Sequence, residues 1–156
     1  MTRAEQAKEY FEQGYACSQA VALAFQKETG VDKEVLLKAT LPFGGGLGRL
    51  RLTCGAVTGM ATVYGLLCAE AENSPENKKR TYEGVRELTE RFKSVNGSIT
   101  CADLLSGANL FVEVGGEAEK RTAEYYKKRP CGELVEIATK ILEEYLIEKG
   151  VLKAKA

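Results

Sequence analysis

The chain has 156 residues, 44% apolar and 28% charged, which suits one globular domain with a real hydrophobic core. Basic and acidic residues both number 22, so the formal net charge is zero and the electrostatic case for nucleic acid or an anionic membrane surface falls away. There is no histidine and no tryptophan; without imidazole, no Cys–His or Ser–His nucleophile pair and no histidine-ligated zinc or haem site can form.

Thr2-Arg3-Ala4-Glu5 has the form of a capping box opening a helix to about Phe11, with Ala7, Tyr10 and Phe11 on one face and Gly14 as its stop. A second helix is predicted from Cys17 to Gly30. Asp32 caps a third, carrying Val35, Leu36 and Ala39, which Pro42 ends. Gly44-Gly45-Gly46-Leu47-Gly48 then forms a glycine-rich loop. The helix behind it, over about 54–71, is apolar nearly all round, which places it at the centre of the fold. Gly55 and Gly59 share one of its faces, and their cost in helix propensity predicts close approach by another backbone or a cofactor.

Asn73-Ser74-Pro75 breaks the chain before a helix over about Glu76 to Lys93, whose stripe is Tyr82, Val85, Leu88, Phe92 and Val95. Asn96-Gly97-Ser98 is a turn, and Thr100 caps a short helix from Cys101. Leu110, Val112 and Val114 alternate like a strand, but no partner strand exists, so 109–116 is predicted to be loop. A polar helix follows over 117–128. Pro130 introduces the last helix, Cys131 to about Lys149, with Leu134, Val135, Ala138, Ile141, Leu142 and Tyr145 as its apolar stripe. The expected fold is all-α: a compact single-domain bundle of about six to seven helices around the buried one at about 54–71. Residues 1–150 form the domain and 151–156 a frayed tail. No apolar run reaches the roughly 18 residues of a membrane span, and no secretory signal opens the chain, so a cytoplasmic protein without membrane insertion is expected.

Thiols are the remaining reactive groups, and there are five: Cys17, Cys54, Cys68, Cys101 and Cys131. In a reducing compartment these point to metal binding or catalysis rather than to structural disulfides. Four of them, Cys17, Cys54, Cys101 and Cys131, fall at predicted helix N-termini, where free backbone N–H groups and the helix dipole favour an anion and lower a thiol pKa. Cys68 lies near the far end of its helix among Leu66, Leu67 and Ala69 and is expected to be a core residue. Arg49 and Arg51 before Cys54, and Lys127, Lys128 and Arg129 before Cys131, either offset thiolate charge or form a solvated face. No two cysteines form C-x-x-C, which excludes a thioredoxin-type pair and zinc knuckles. A site made from these four must be assembled by the tertiary fold. Four thiolates suit tetrahedral zinc or an iron–sulfur cluster, and two dithiol pairs fit the same spacing. The glycine loop contains neither phosphate-binding pattern, G-x-x-x-x-G-K-[ST] or G-x-G-x-x-G, so close backbone approach around the cysteines accounts for it better than a nucleotide.

The run Cys54-Gly55-Ala56-Val57-Thr58-Gly59, with one cysteine before it and two after, resembles the C_GCAxxG_C_C family of redox-active proteins. So do Gly14-Tyr15-Ala16-Cys17-Ser18-Gln19-Ala20-Val21, Phe43-Gly44-Gly45-Gly46, Cys101-Ala102-Asp103-Leu104-Leu105 and the final Cys131. The family is similar in its cysteine core to part of the split-Soret cytochromes, which carry an iron–sulfur site besides haem. Haem signatures are missing here, so the resemblance extends to the cysteine core alone and implies that its four cysteines are Cys17, Cys54, Cys101 and Cys131.

Three functions follow as expectations. In the first, these four cysteines bind an iron–sulfur cluster for electron transfer, and Gly44, Gly45, Gly46, Gly55 and Gly59 bring backbone close to it, with loop N–H groups hydrogen-bonding its sulfurs. In the second, the same cysteines form reversible disulfides without metal, and Cys54 is the attacking thiol because Arg49 and Arg51 lie nearby. In the third, they hold a structural zinc in a binding module. A redox partner protein is expected in the first two. The small-residue face of the 54–71 helix packs either within the monomer or across a homodimer two-fold.

Overall fold

The structure is a computed structural model describing residues 1–154. Among the described residues it has nine α-helices and no strand: α1 (Arg3–Glu12), α2 (Cys17–Leu23), α3 (Gln26–Thr29), α4 (Lys33–Thr40), α5 (Gly55–Cys68), α6 (Pro75–Asn96), α7 (Cys101–Gly107), α8 (Ala123–Lys128) and α9 (Cys131–Glu148). The all-α expectation holds, with more helices than the six to seven predicted.

One extra break falls inside the second predicted helix. Phe25 leaves helical geometry, at φ −115° and ψ 11°, and its ring is fully buried beneath the Arg3 guanidinium, 4.9 Å from the ring centre. Burying that ring offsets the helical bonding given up there, where the Phe25 N–H donates to the Ala22 carbonyl instead of continuing the α-helical pattern, and the segment splits into α2 and α3. Arg3 also bonds the Ala24 carbonyl and pairs with Glu28 and Glu143, tying α1 to α3 and α9.

The Thr2 and Asp32 caps form as read from the sequence, and Ser74, read only as part of a chain break, caps α6 in the same local way. Thr2 Oγ1 accepts the Glu5 N–H while Glu5 accepts the Thr2 N–H. Asp32 accepts the Val35 N–H at the start of α4, and Ser74 accepts the Asn77 N–H at the start of α6. Gly97 ends α6 in the left-handed region, at φ 84°.

Helix α5 is the hub, packed by α2, α6 and α9, while α1 lies along α9. It is shorter than expected, because Ala69 turns to extended backbone, and its last turn leaves Leu66 exposed. The small residues are what allow the crossings. A Cβ on Gly59 would stand 3.0 Å from both the Ser18 carbonyl oxygen and Val21 Cβ, so α2 lies directly on that face. The face proposed for either internal or dimer packing is therefore covered within the monomer. Helix α6 crosses the core only at its middle: Gly84, Leu88 and Phe92 are buried, whereas Tyr82 and Val95, predicted to share the stripe, are exposed. Every residue of the stripe predicted for α9 is buried.

The polar helix predicted over 117–128 shrinks to α8. Gly115 and Gly116 both sit at positive φ, and residues 110–122 run as a strap without regular secondary structure. Thr122 accepts the Tyr125 N–H and so starts α8 late. Of the 151–156 segment, Val151 and Leu152 donate to the Leu146 carbonyl, and residues 155–156 lie outside those described. No described helix is long and apolar enough to cross a membrane.

Candidate redox centre

All four cysteines predicted at helix starts are found there. Cys17, Cys101 and Cys131 are the first residues of α2, α7 and α9, and Cys54 is the N-cap of α5.

The glycine-rich loop brings two of them together. Gly45, Gly46, Leu47, Gly48, Arg49 and Arg51 all have positive φ, which for the three non-glycine residues costs about 1–2 kcal/mol each. A tight internal ladder offsets that strain: the N–H groups of Leu47, Gly48, Arg49, Arg51 and Leu52 donate to the carbonyls of Phe43, Pro42, Gly44, Gly45 and Gly46. The loop then laces onto the start of α7. Cys54 N–H donates to the Ile99 carbonyl at 2.7 Å, Cys101 N–H to Leu52 at 2.6 Å, and Thr53 bridges Thr100. Gly46 lies so close that a Cβ there would come within 2.7 Å of Cys101 Cβ. Gly55 does the same for the other side, where a Cβ would meet Cys17 Cβ at 3.2 Å.

The result is one cavity of about 440 Å³ lined by Cys17, Cys54, Cys101 and Cys131 together. Gly44, Gly45, Gly46 and Gly55 also line it, whereas Gly59 faces α2 instead. Cys68 is half-buried against the core at the other end of α5.

The profile of the family described as "Putative redox-active protein (C_GCAxxG_C_C)" matches residues 15–145. The chain belongs to this family. No curated protein and no solved structure shows a significant match. Four cysteines from across the matched region, Cys17, Cys54, Cys101 and Cys131, thus line a single cavity, and redox activity is the property the family description carries.

Electrostatics in this C_GCAxxG_C_C site differ from the helix-dipole expectation. Three of the four thiols are shifted up rather than down. Burial pushes Cys54 up to about 12, only partly countered by the Ala56 and Val57 N–H groups at its sulfur, with Cys131 and Cys101 adding to the rise. Cys101 is raised by burial despite Arg51, whose Nη1 stands 3.7 Å from its sulfur. Cys17 is raised well above an ordinary thiol, first because it donates to Cys131 and then by burial. Cys131 alone is lowered. Its sulfur accepts from Cys17, and Arg129, Arg121 and Arg51 stabilise its charge against burial. In a dry site desolvation of the charged form exceeds what a helix end supplies.

Cys54 is therefore not the activated thiol, and Arg49 does not activate it. Arg49 turns to the strap instead, donating to the Gly115 carbonyl and approaching Glu113 and Glu119, while Arg51 Nε holds the Glu113 carbonyl at 2.9 Å. The loop N–H groups expected to hydrogen-bond sulfurs are mostly consumed by the loop's own ladder. Among the described residues only the Gly45 and Gly46 amides in that run lack an acceptor. Of the basic run before Cys131, Arg129 alone turns inward, pairing with Glu119 and stacking on Tyr125, while Lys128 pairs with Glu124 in solvent.

Sequence reasoning missed Arg121, Glu119 and Tyr125. Arg121 donates to the Phe11 and Tyr15 carbonyls at 3.2 Å and lies over the Phe11 ring at 4.4 Å, closing the cavity between strap and α1. Tyr125 is pushed up to about 12 by burial and stays neutral. An arginine followed at four residues by tyrosine was the only available signal, and it has no helical phase because Arg121 precedes α8.

Among the described residues, no group of three or more Cys, Asp or Glu side chains is arranged to grip a metal ion. The donor chemistry nevertheless suits a cluster: four sulfur donors, Glu119 as the one lining carboxylate among the described residues, and several arginines to balance thiolate charge.

Proposed function

We propose that Cys17, Cys54, Cys101 and Cys131 hold an iron–sulfur cluster and that the protein passes electrons to a redox partner protein in the cytoplasm. The observation that carries this reading is the convergence of four sequence-remote thiols, each at a helix start, on one cavity of about 440 Å³. That space exceeds what one ion needs and suits a group several atoms across. When bound, such a cluster supplies reversible one-electron exchange. The chain's own groups prepare the site for it. The N–H groups of Ala56 and Val57 at the start of α5 favour negative charge on Cys54, and Arg51 reaches the Cys101 sulfur. Leu104, Leu105 and Leu134 line the same space and limit water. Metal binding would also discharge the burial penalty, because thiols that resist ionisation in a dry site ionise readily against iron.

Anaerobic purification followed by iron and sulfide analysis and a visible spectrum tests this. Charge-transfer absorption with about stoichiometric iron supports the proposal, and colourless, iron-free protein overturns it. Bound zinc without a redox response would instead make the site structural.

One contact favours a second reading. Cys17 donates to Cys131, whose pKa is lowered, which is the arrangement of an attacking thiolate beside its partner. These two thiols would form a disulfide, giving up two electrons and two protons to the disulfide of a partner protein. Metal-free protein whose free-thiol count falls in pairs on oxidation, with Cys17 joined to Cys131, supports this reading over the cluster.

A further inference from the structure

A large apolar face of the molecule lies outside the thiol cavity. Residues 41–53 contain two charged side chains, Arg49 and Arg51, among glycines and leucines. The fold turns the usual sorting round. Arg49 and Arg51 are 8% and 7% exposed, whereas Leu50 and Leu52 beside them are each 50% exposed and Leu47 is exposed as well. This arrangement costs backbone strain, because Leu47, Arg49 and Arg51 all adopt φ between 61° and 71°. The three leucines do not line the cavity, so the chemistry of the thiols does not account for them.

The strap continues the same face. Gly115 N–H donates to the Arg49 carbonyl at 2.8 Å, and Arg51 Nε donates to the Glu113 carbonyl at 2.9 Å, so Val114 runs beside Leu50. Val114 is exposed, and Phe111, three residues upstream, is 87% exposed. Single exposed leucines need no partner, but a contiguous apolar patch marks an association surface. Residues 41–53 and 110–116 together give about 20 residues, which is what each side of a standard protein–protein interface holds.

Charge selects the occupant. With both arginines turned inward, the loop presents no charge of its own. Glu113 is the one charged residue in 110–116, and its carboxylate leans to within 3.8 Å of Arg49. A neutral apolar face is complementary to itself, which is the condition for a two-fold contact, where one patch meets its own copy. The formal net charge of the chain is zero, so no long-range repulsion opposes the approach of like molecules.

We propose that residues 41–53 and 110–116 form a two-fold homodimer interface, in which the loop leucines, Phe111 and Val114 are buried against the same face of a second copy of this chain. The interface goes beyond the redox reading and does not depend on it. It does bear on the thiols. Cys101 N–H donates to the Leu52 carbonyl at 2.6 Å, so the seam covers the loop wall one hydrogen bond from a cysteine of the cavity. The two cavities of the dimer then lie on either side of one apolar seam.

Sedimentation equilibrium of the full chain, under reductant so that no disulfide joins two molecules, tests the interface. The expected mass is twice the 17.0 kDa of the chain, and it should not change between low and high salt because the seam is uncharged. Leu50→Glu buries an unpaired charge there and should weaken dimerisation by about tenfold or more, as should Leu47→Glu made separately. Leu66→Glu, at an exposed apolar position on the opposite end of α5, should leave the mass unchanged. Circular dichroism of each variant checks that it stays folded. A monomer at every concentration overturns the proposal, and flotation of that monomer with phosphatidylcholine vesicles would assign the face to lipid instead. A dimer that survives both Leu47→Glu and Leu50→Glu overturns it too, because the seam then lies elsewhere. Iron content plays no part in these measurements, so their failure leaves the cluster reading intact, and iron-free protein leaves the dimer intact.

Discussion

Cys17 and Cys131, the first residues of α2 and α9, line one cavity and shift each other's acidity in opposite directions, Cys17 keeping its proton and Cys131 taking the charge. The asymmetry has a structural cause. Arg129, Arg121 and Arg51 face Cys131, whereas Cys17 feels the negative charge of both Cys131 and Cys54.

In the reduced, metal-free protein this order should appear as reactivity. Cys131 is expected to alkylate at the lowest pH, well ahead of Cys54, whose pKa is pushed up to about 12. Cys17→Ala removes the donor and should move the Cys131 midpoint upward. Iodoacetamide labelling resolved by mass spectrometry across pH measures both. Labelling of Cys54 ahead of Cys131 would contradict the electrostatic assignment.

Cys54 also makes stability depend on alkali. Its folded pKa lies above that of an unfolded thiol, so the folded state loses ground once the unfolded chain begins to ionise. Stability is full below the unfolded thiol pKa and falls as pH rises from there towards about 12, at up to about 1.4 kcal/mol per pH unit. Cys54→Ser removes that titration and should flatten the slope in urea unfolding of metal-free protein between pH 8 and 11 or so. Parallel slopes in the two proteins would refute the account.

Two glycines of the same loop separate close packing from backbone strain. Gly48→Ala introduces a side chain at φ 56° with nothing within 4 Å, so it should cost about 1–2 kcal/mol. Gly46→Ala adds to a φ of 74° an overlap with Cys101 Cβ and the Leu52 nitrogen, both at 2.7 Å. It should cost about 2–4 kcal/mol and change the reactivity of Cys101. Equal losses in chemical denaturation would mean that the contact with Cys101 does not matter.

The fifth thiol serves as an internal control. Cys68→Ala should leave iron content and redox titration unchanged, because Cys68 lies outside the cavity at the far end of α5. Cys54→Ala should abolish both. Similar effects in the two variants would show that the cavity does not define the centre.

Local chemistry was enough to place much of this molecule. The capping box at Thr2, the caps at Asp32 and Ser74, the stop at Gly97 and the buried stripe of α9 each depend on residues within one or two turns. The same short-range logic put Cys17, Cys54, Cys101 and Cys131 at helix starts, and the glycine spacing in α5 announced the contact that α2 makes at Gly59. Burial is not local, and it decided the rest. Phe25 broke a helix to reach the core, desolvation reversed the pKa direction expected for Cys54 and Cys101, and the neighbouring Cys131 with burial reversed it for Cys17. Arg49 was drawn from Cys54 to the strap because its acceptors, the Gly115 carbonyl and the carboxylates of Glu113 and Glu119, come from a remote stretch of chain that only the fold brings alongside. Charges on neighbouring residues can be counted from the sequence, but which charge meets which sulfur depends on distances that only tertiary packing sets.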